Sequence, residues 1–390
     1  MTFQLFCRKS DLSYFQNHYQ NPKVMKSDRV FGGRYSLIRK IGAGSFGEIY
    51  FGEDKKTGKS VAIKIEQLKT QVPQLSAESK VYSVLSGGVN VCKLHYFGIE
   101  IKTCAMVIDF LGKSLESLRA DCGGTLSIKT VAMLADQMIS SIEWVHRNNY
   151  IHRDIKPDNF MIGLGNTSNQ LFVIDFGLAK YYRDPQTQQH IAYTEHNSFA
   201  GTARYASAAS LGGIEPSRRD DMEAIAYVLA YLLKGTLPWM NIEANSVQAS
   251  YDKNVAIKLK STPEQIFDGM PIEFVNFLKD IKKLKFQDEP NYAKYRKMFR
   301  DMLIRLDYIY DFNYDWVGGI TPCKPSHSHS AVRLIPRVPS TKTRLTRKPM
   351  KIELVQNRAT RSLKIPLAKS SSSLSLKRSI KMTINQVEKT

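Results

Sequence analysis

Two short stretches hold oxygen donors and cations at spacings suited to handling phosphate. The run HRDIKPDNF sets Asp154, Lys156 and Asn159 within six residues, and IDFG adds Asp175 sixteen residues after Asn159. A carboxylate such as Asp154 can orient a hydroxyl and accept its proton. Asn159 and Asp175 offer the hard oxygen atoms that magnesium takes when it bridges phosphates. Lys156 can neutralise charge on a phosphoryl group during transfer.

Upstream, IGAGSFGEIY runs from Ile41 to Tyr50 and matches a glycine-rich phosphate loop, with Gly42, Gly44 and Gly47 spaced by Ala43, Ser45 and Phe46 and followed by Glu48 and Ile49. A dinucleotide-binding loop shares this pattern but must open a helix after its last glycine, whereas EIYFGED alternates like a strand. A second candidate, GEDKKTGKS, nearly spells a Walker loop. It has five residues between its glycines instead of four, and it lies between two strand-like segments. It therefore reads as a hairpin turn with Lys59 exposed, because a Walker loop must feed a helix whose N-terminus faces the phosphates. Fourteen residues past Gly47 begins VAIK, which carries Ala62 and Lys64, and fourteen past Lys64 lies Glu78 in a helix-like stretch. A lysine held by a carboxylate is placed to grip α- and β-phosphates.

The elements that must hold these residues change character along the chain. From Tyr35, short segments alternate with period two and are broken by Gly or Asp-Lys-Lys-Thr-Gly, which predicts antiparallel strands. VPQLSAESKVYSVL reads as a helix, and IKTVAMLADQMISSIEWVHRNN repeats apolar residues every three or four positions. Further helices are predicted over Asp220 to Leu233 and Pro271 to Arg305. A small β-rich lobe followed by a larger helical lobe, an α+β class, is the expected architecture.

The order of glycine loop, VAIK, HRD and DFG is the catalytic set of protein kinases. Beyond that set, GTARYASAASLGGIEPSRRDDMEAIAYVL stands where most kinases have Ala-Pro-Glu. Together with SAESKVY, MVIDFLGKSLESL, LADQMISSIEWVHRNNYIHRDIKPDNF, IDFGLAKYYRD and GTLPW, it resembles the casein kinase I family from about Gly32 to Trp316. The resemblance implies a bilobal kinase that uses ATP and Mg2+ on Ser or Thr of protein substrates and is active without activation-loop phosphorylation. Lys156 points the same way, since tyrosine kinases usually lack it. The resemblance also implies that ATP binds along Ile41 to Ile49 and at Ala62, Lys64, Glu78 and Leu111, with Leu111 in the hinge and Ile108 as gatekeeper. Some positions depart from the family. Thr194 replaces an arginine of an anion site for acidic or prephosphorylated substrates, Glu243 and Val247 replace lysines, and Ser207-Ala208-Ala209 replaces Ser-Ile-Asn. None touches the phosphoryl-transfer set, so catalysis is expected to survive while the preference for acidic or primed substrates is weakened.

Composition frames the remaining expectations. The chain has 390 residues and a formal charge of +20. Sixteen Lys or Arg against Glu353 and Glu388 put +14 between Lys324 and Thr390, leaving about +6 for the rest. That stretch has no Phe, Tyr or Trp, so little burial is available to repay ordering. The expected division is an N-terminal extension over 1–31, a kinase domain over 32–317 and a disordered basic tail over 318–390. The tail suits anionic partners, whether a nuclear address, lipid or RNA, and KSSSSLSLKRS suits autophosphorylation as in family members. Cys323, His327 and His329 read as solvated and not as zinc ligands. Five scattered cysteines without CxxC spacing imply reduced thiols and an intracellular protein of cytoplasm or nucleus, and a monomer is expected. The N-terminus lacks the apolar core of a signal peptide, and no run is long enough to span a bilayer. A pseudokinase scaffold is the alternative, disfavoured because Lys64, Asp154, Asn159 and Asp175 are all present. A nucleic-acid-binding role is disfavoured by the absence of stacking aromatics in the tail.

Overall fold

The structure is a computed structural model and describes residues 29–44, 47–68, 74–100 and 102–317. Ser45, Phe46, the extension through residue 28 and the tail from residue 318, with Cys323, His327 and His329, lie outside the described residues.

Six strands form one antiparallel sheet: β1 (Val30–Phe31), β2 (Tyr35–Gly44), β3 (Gly47–Asp54), β4 (Ser60–Gln67), β5 (Leu94–Glu100) and β6 (Thr103–Asp109), in the order β1-β2-β3-β4-β6-β5. The period-two pattern of β4 explains its two faces. Val61, Ile63 and Ile65 are buried against Leu37, Ala105 and Val107, while Ala62, Lys64 and Glu66 point to the opposite side. Phe31, which the expected boundary leaves in the extension, is fully buried in this sheet. The Walker-like stretch is a hairpin turn, as expected. Asp54 accepts from Lys56 N (3.0 Å), Thr57 Oγ1 (2.6 Å) and Arg34, Gly58 takes φ 68°, and Lys59 is exposed.

Helix α1 (Gln74–Leu85) packs against β5 and β6. The larger part is helical: α2 (Leu115–Asp121), α3 (Ile128–Arg147), α4 (Ala208–Leu211), α5 (Arg218–Lys234), α6 (Val247–Lys260), α7 (Pro263–Ile266), α8 (Ile272–Ile281) and α9 (Tyr292–Arg305). Short strands β7 (Tyr150–Ile151), β8 (Phe160–Ile162), β9 (Leu171–Val173) and β10 (Lys180–Tyr181) run between α3 and α4. Ser127 caps α3 by accepting from Thr130 N at 3.2 Å. Ser217 and Asp220 form a capping box on α5, which ends at left-handed Gly235. Both helices are buried over most of their length and form the centre of the core.

One expected helical segment divides in two, and one helix was not expected. The segment Pro271 to Arg305 is two helices, separated by a turn in which Lys285 N donates to Asp288 Oδ2 (2.8 Å) before Pro290. Helix α6 has no counterpart among the expected helices: only Asn254, Val255 and Lys258 of its fourteen residues are buried, and its apolar side is the short row Tyr251, Val255 and Leu259.

Residues 306–317 strap the helical part. Tyr314 is buried, its hydroxyl donates to Asn169 O (3.0 Å) and accepts from Gln137 Nε2 (2.6 Å), and its ring stacks on Trp316 at 4.7 Å. Asp315 accepts from Ser127 N and Oγ, both at 2.6 Å. Burying one large side chain stabilises by about 1.5–3 kcal/mol, and each degree-scale change in Tm for a domain of this size reflects a fraction of that. A chain ending at Val317 is expected to melt within about 2 °C of the full chain. One ending at Arg305 should melt more than about 6 °C lower. Equal melting of the two in calorimetry would show that the strap adds nothing.

Candidate functional site

The expected site residues converge where the sheet meets the helical part. Strand register puts Lys64 opposite Ile49 and Met106, and Ala62 opposite Phe51 and Ile108. Gly44 pairs with Gly47, closing the glycine-rich hairpin, and a Cβ on Gly47 would collide with the carbonyl oxygen of Ile65. Ile41, Gly42, Ala43, Glu48 and Ile49 lie on β2 and β3 beside this turn. Leu111 is largely buried on the link from β6 to α2, next to Gly112, whose amide donates to Ile162 O at 2.8 Å.

Lys64 Nζ donates to Glu78 Oε2 (2.7 Å) and to Asp175 Oδ1 (3.2 Å). Burial opposes the Lys64 ammonium, but Glu78 and Asp175 outweigh it and hold its pKa above the ordinary lysine value. Burial lifts Glu78 above the usual carboxylate range, only partly offset by Lys64. Asp175 goes the other way, since Lys64 overcomes burial and keeps its carboxyl low. Tyr82, one turn beyond Glu78, accepts from Asp175 N at 3.2 Å, and its ring meets Phe176 edge-on at 4.9 Å.

The second cluster hangs on the loop after β7. Asp154 accepts from Thr202 Oγ1 (2.7 Å) on one oxygen and from Lys156 Nζ (2.6 Å) on the other. Asn159 Nδ2 donates to Asp154 O at 2.9 Å, and Asn159 O accepts from Ile174 N at 2.9 Å, so this loop and the Asp175 loop are joined. His152 Nδ1 accepts from Asp154 N (3.2 Å), which leaves Nε2 to donate to Ile174 O (3.0 Å). Asp221 of α5 accepts from His152 N (2.7 Å) and Arg153 N (2.9 Å) and so sets the loop's height. Asn159 spends its amide nitrogen on Asp154, which leaves its carbonyl oxygen, with the Asp175 carboxylate, for a hard cation. One or two protein oxygens completed by phosphates and water are what magnesium favours, so the donor set fits it.

An open pocket of about 170 Å³ is lined by Arg153, Lys180, Asn197, Phe199, Ile214 and Glu215 among others, and Glu243 is not among its lining residues. Lys180 is matched by Glu215 at 2.7 Å. Thr194 is exposed beside the pocket, accepts from Asn197 Nδ2 (3.0 Å) and donates to Glu215 Oε2 (3.5 Å). Arg218 is buried and donates to Tyr182 Oη (3.2 Å) and Gln287 O (2.7 Å).

Sequence reasoning missed Lys258. It is fully buried, donates to the carbonyl oxygens of Ala203 (2.8 Å), Arg204 (3.3 Å) and Ala206, and lies over the rings of Tyr227 (5.2 Å) and Trp239 (4.9 Å). Nothing around it in sequence marks this lysine out. It holds the backbone just past Thr202. Burial, resisted by Glu223 and reinforced by Lys282, brings its ammonium down to about 7. An unfolded lysine titrates near 10.4, so between roughly pH 7 and 10 the unfolded chain holds more protons and stability from this group rises with pH. The gap in urea midpoint between the native chain and Lys258→Met is therefore expected to widen from pH 7 to 9.5. A constant gap would mean that the folded ammonium keeps its proton.

A family model of the protein kinase domain matches residues 35–305, which takes in strands β2 to β6, both clusters and the helical core. Among the described residues no helix is long and apolar enough to cross a membrane. With the β-rich part, the helical part and the convergence of Lys64, Asp154, Asn159 and Asp175 already in view, the match makes this chain a member of the protein kinase family, a phosphotransferase acting on proteins.

Proposed function

We propose that the chain transfers the γ-phosphoryl group of ATP, with Mg2+, to serine or threonine of protein substrates, in the manner of casein kinase I enzymes. The observation that carries this reading is the Asp154 carboxylate held between Thr202 and Lys156. In this arrangement Asp154 orients the acceptor hydroxyl and takes its proton as the new O–P bond forms and the bond to the ADP oxygen breaks. Lys156 stands beside it to neutralise the group in transfer. Lys64, steadied by Glu78, grips the α- and β-phosphates, while the strands around Gly42 to Gly47 cover them and Ala62, Ile108 and Leu111 line the adenine side. Magnesium, held by Asn159 and Asp175, supplies charge neutralisation of the phosphates. A scaffold that binds partners without turnover would leave this set no task, and no feature of the site favours it.

Lys64→Met and Asp154→Asn should each lower kcat on casein by several orders of magnitude, read as labelled phosphate transfer. Near-native turnover in either variant would sink the assignment of roles.

Substrate choice follows from the pocket beside Thr194. A charge-assisted contact to a priming phosphate is worth about 1.5–3 kcal/mol, or roughly ten- to a hundredfold. Lys180 is already matched by Glu215, and Thr194 supplies no guanidinium. Phosphoserine three residues before the target should therefore raise kcat/KM less than about tenfold. Thr194→Arg should raise that ratio. A hundredfold preference in the native enzyme would show that other cations build the site.

A further inference from the structure

Helix α1 is tied at its first turn by two side chains that the roles above do not use. Glu66 stands two residues past Lys64 on the same face of β4. Its Oε1 accepts from Gln74 N (3.3 Å) and its Oε2 from Leu75 N (2.8 Å). These are the leading amides of α1, which intrahelical bonding leaves without acceptors, and the first turn has no acidic residue of its own. Gln74 in turn donates from Nε2 to the carbonyl oxygen of Gly177 at 2.8 Å, directly after Asp175 and Phe176.

The spacing along α1 gives these ties a direction. Gln74, Glu78 and Tyr82 follow one another at four-residue intervals, so they share one helical stripe. In order they meet Gly177 O, Lys64 Nζ and Asp175 N. A rotation or outward slide of α1 would break all three contacts together, and Glu66 resists that movement from the strand that carries Lys64.

We propose that Glu66 and Gln74 are positioning residues, which hold α1 so that Glu78 stays on Lys64 and the Asp175 loop keeps its place. The inference rests on the reading of Lys64, Glu78 and Asp175 as the nucleotide-gripping set. It commits Glu66 to act through Glu78, beyond any general support of the fold.

A double-mutant cycle on the full chain tests it, with Glu66→Gln and Gln74→Ala each made in the native and in the Glu78→Gln background. Steady-state kcat/KM for ATP, KM for a peptide substrate and Tm are read for every protein. Either variant should lower kcat/KM for ATP about tenfold in the native background and less than about twofold in Glu78→Gln. The peptide KM should stay within about twofold, and the change in Tm should be the same in both backgrounds. An equal fold-loss in the two backgrounds, or a loss of Tm with unchanged kinetics, would overturn the inference and leave Glu66 as a helix cap only. Native-like activity of Glu78→Gln by itself would bring down the underlying reading of Lys64 and Glu78, and the inference with it.

Discussion

The carboxylate of Asp221 sets the frame for both halves of the site. It is 3% exposed, and it accepts from His152 N, Arg153 N and His146 Nε2. Burial alone would raise its pKa, but His146 and these amides reverse the shift and keep it ionised. Burial lowers His146, whose neutral ring gives Nε2–H to Asp221 and leaves Nδ1 to accept from Tyr292 Oη at 2.8 Å. A buried carboxylate stripped of its donors costs several kcal/mol, so the loop after β7 cannot drift from α5 without a large penalty. The same bonds hold Arg153 at φ 69°, a left-handed conformation that costs about 1–2 kcal/mol in a residue with a Cβ. Asp154 owes its place to that turn.

From this anchor the geometry passes outward through hydrogen bonds that alternate between loops. Asn159 links the Asp154 loop to Ile174, and His152 reaches the same residue from the other side. Asp175 follows at φ 65° and meets Lys64 and Tyr82 of the smaller lobe. The lobes thus join through a partly buried cation set against two carboxylates. Such a group is stable only while complete, since removing one partner leaves an uncompensated charge. Phe176, buried against Tyr82 and His152, seals it from below.

The parts legible in the sequence were those whose chemistry is local. Period-two alternation located β2 to β4, and the Asp54 turn was readable because Asp, Thr and Gly each satisfy a defined part of a hairpin. The dense apolar repeat of α3 likewise announced a core helix. The residues proposed for catalysis stood out because their spacing is rigid, set by one tight loop and one short hairpin. What escaped was decided by contacts distant in sequence. Helix α6 shows only the short apolar row Tyr251, Val255 and Leu259, which packs with Leu211 and Ile214 from a distant part of the chain. Lys258 reaches carbonyls more than fifty positions away, and the enclosure of Arg218 by Tyr182 and Gln287 is equally invisible to spacing. The β1 pairing of Phe31 was hidden because a two-residue strand gives no period to read.

The segment after Thr202 shows how the chain manages without Ala-Pro-Glu. Trp239 Nε1 donates to Arg204 O at 2.6 Å, and Lys258 supplies three donors to the neighbouring carbonyls. Ser207 caps α4 by accepting from Ser210 N (3.0 Å) and gives its proton to Asp220 Oδ1 (2.5 Å), within the capping box of α5. The backbone that would face a peptide is therefore fixed from beneath by buried donors, and its outward side chains are released from structural duty. Thr194 and Glu243 are exposed, whereas Ser207 and Lys258 are buried. A change at the exposed positions leaves these buried donors in place, and with them Asp154, reached through Thr202.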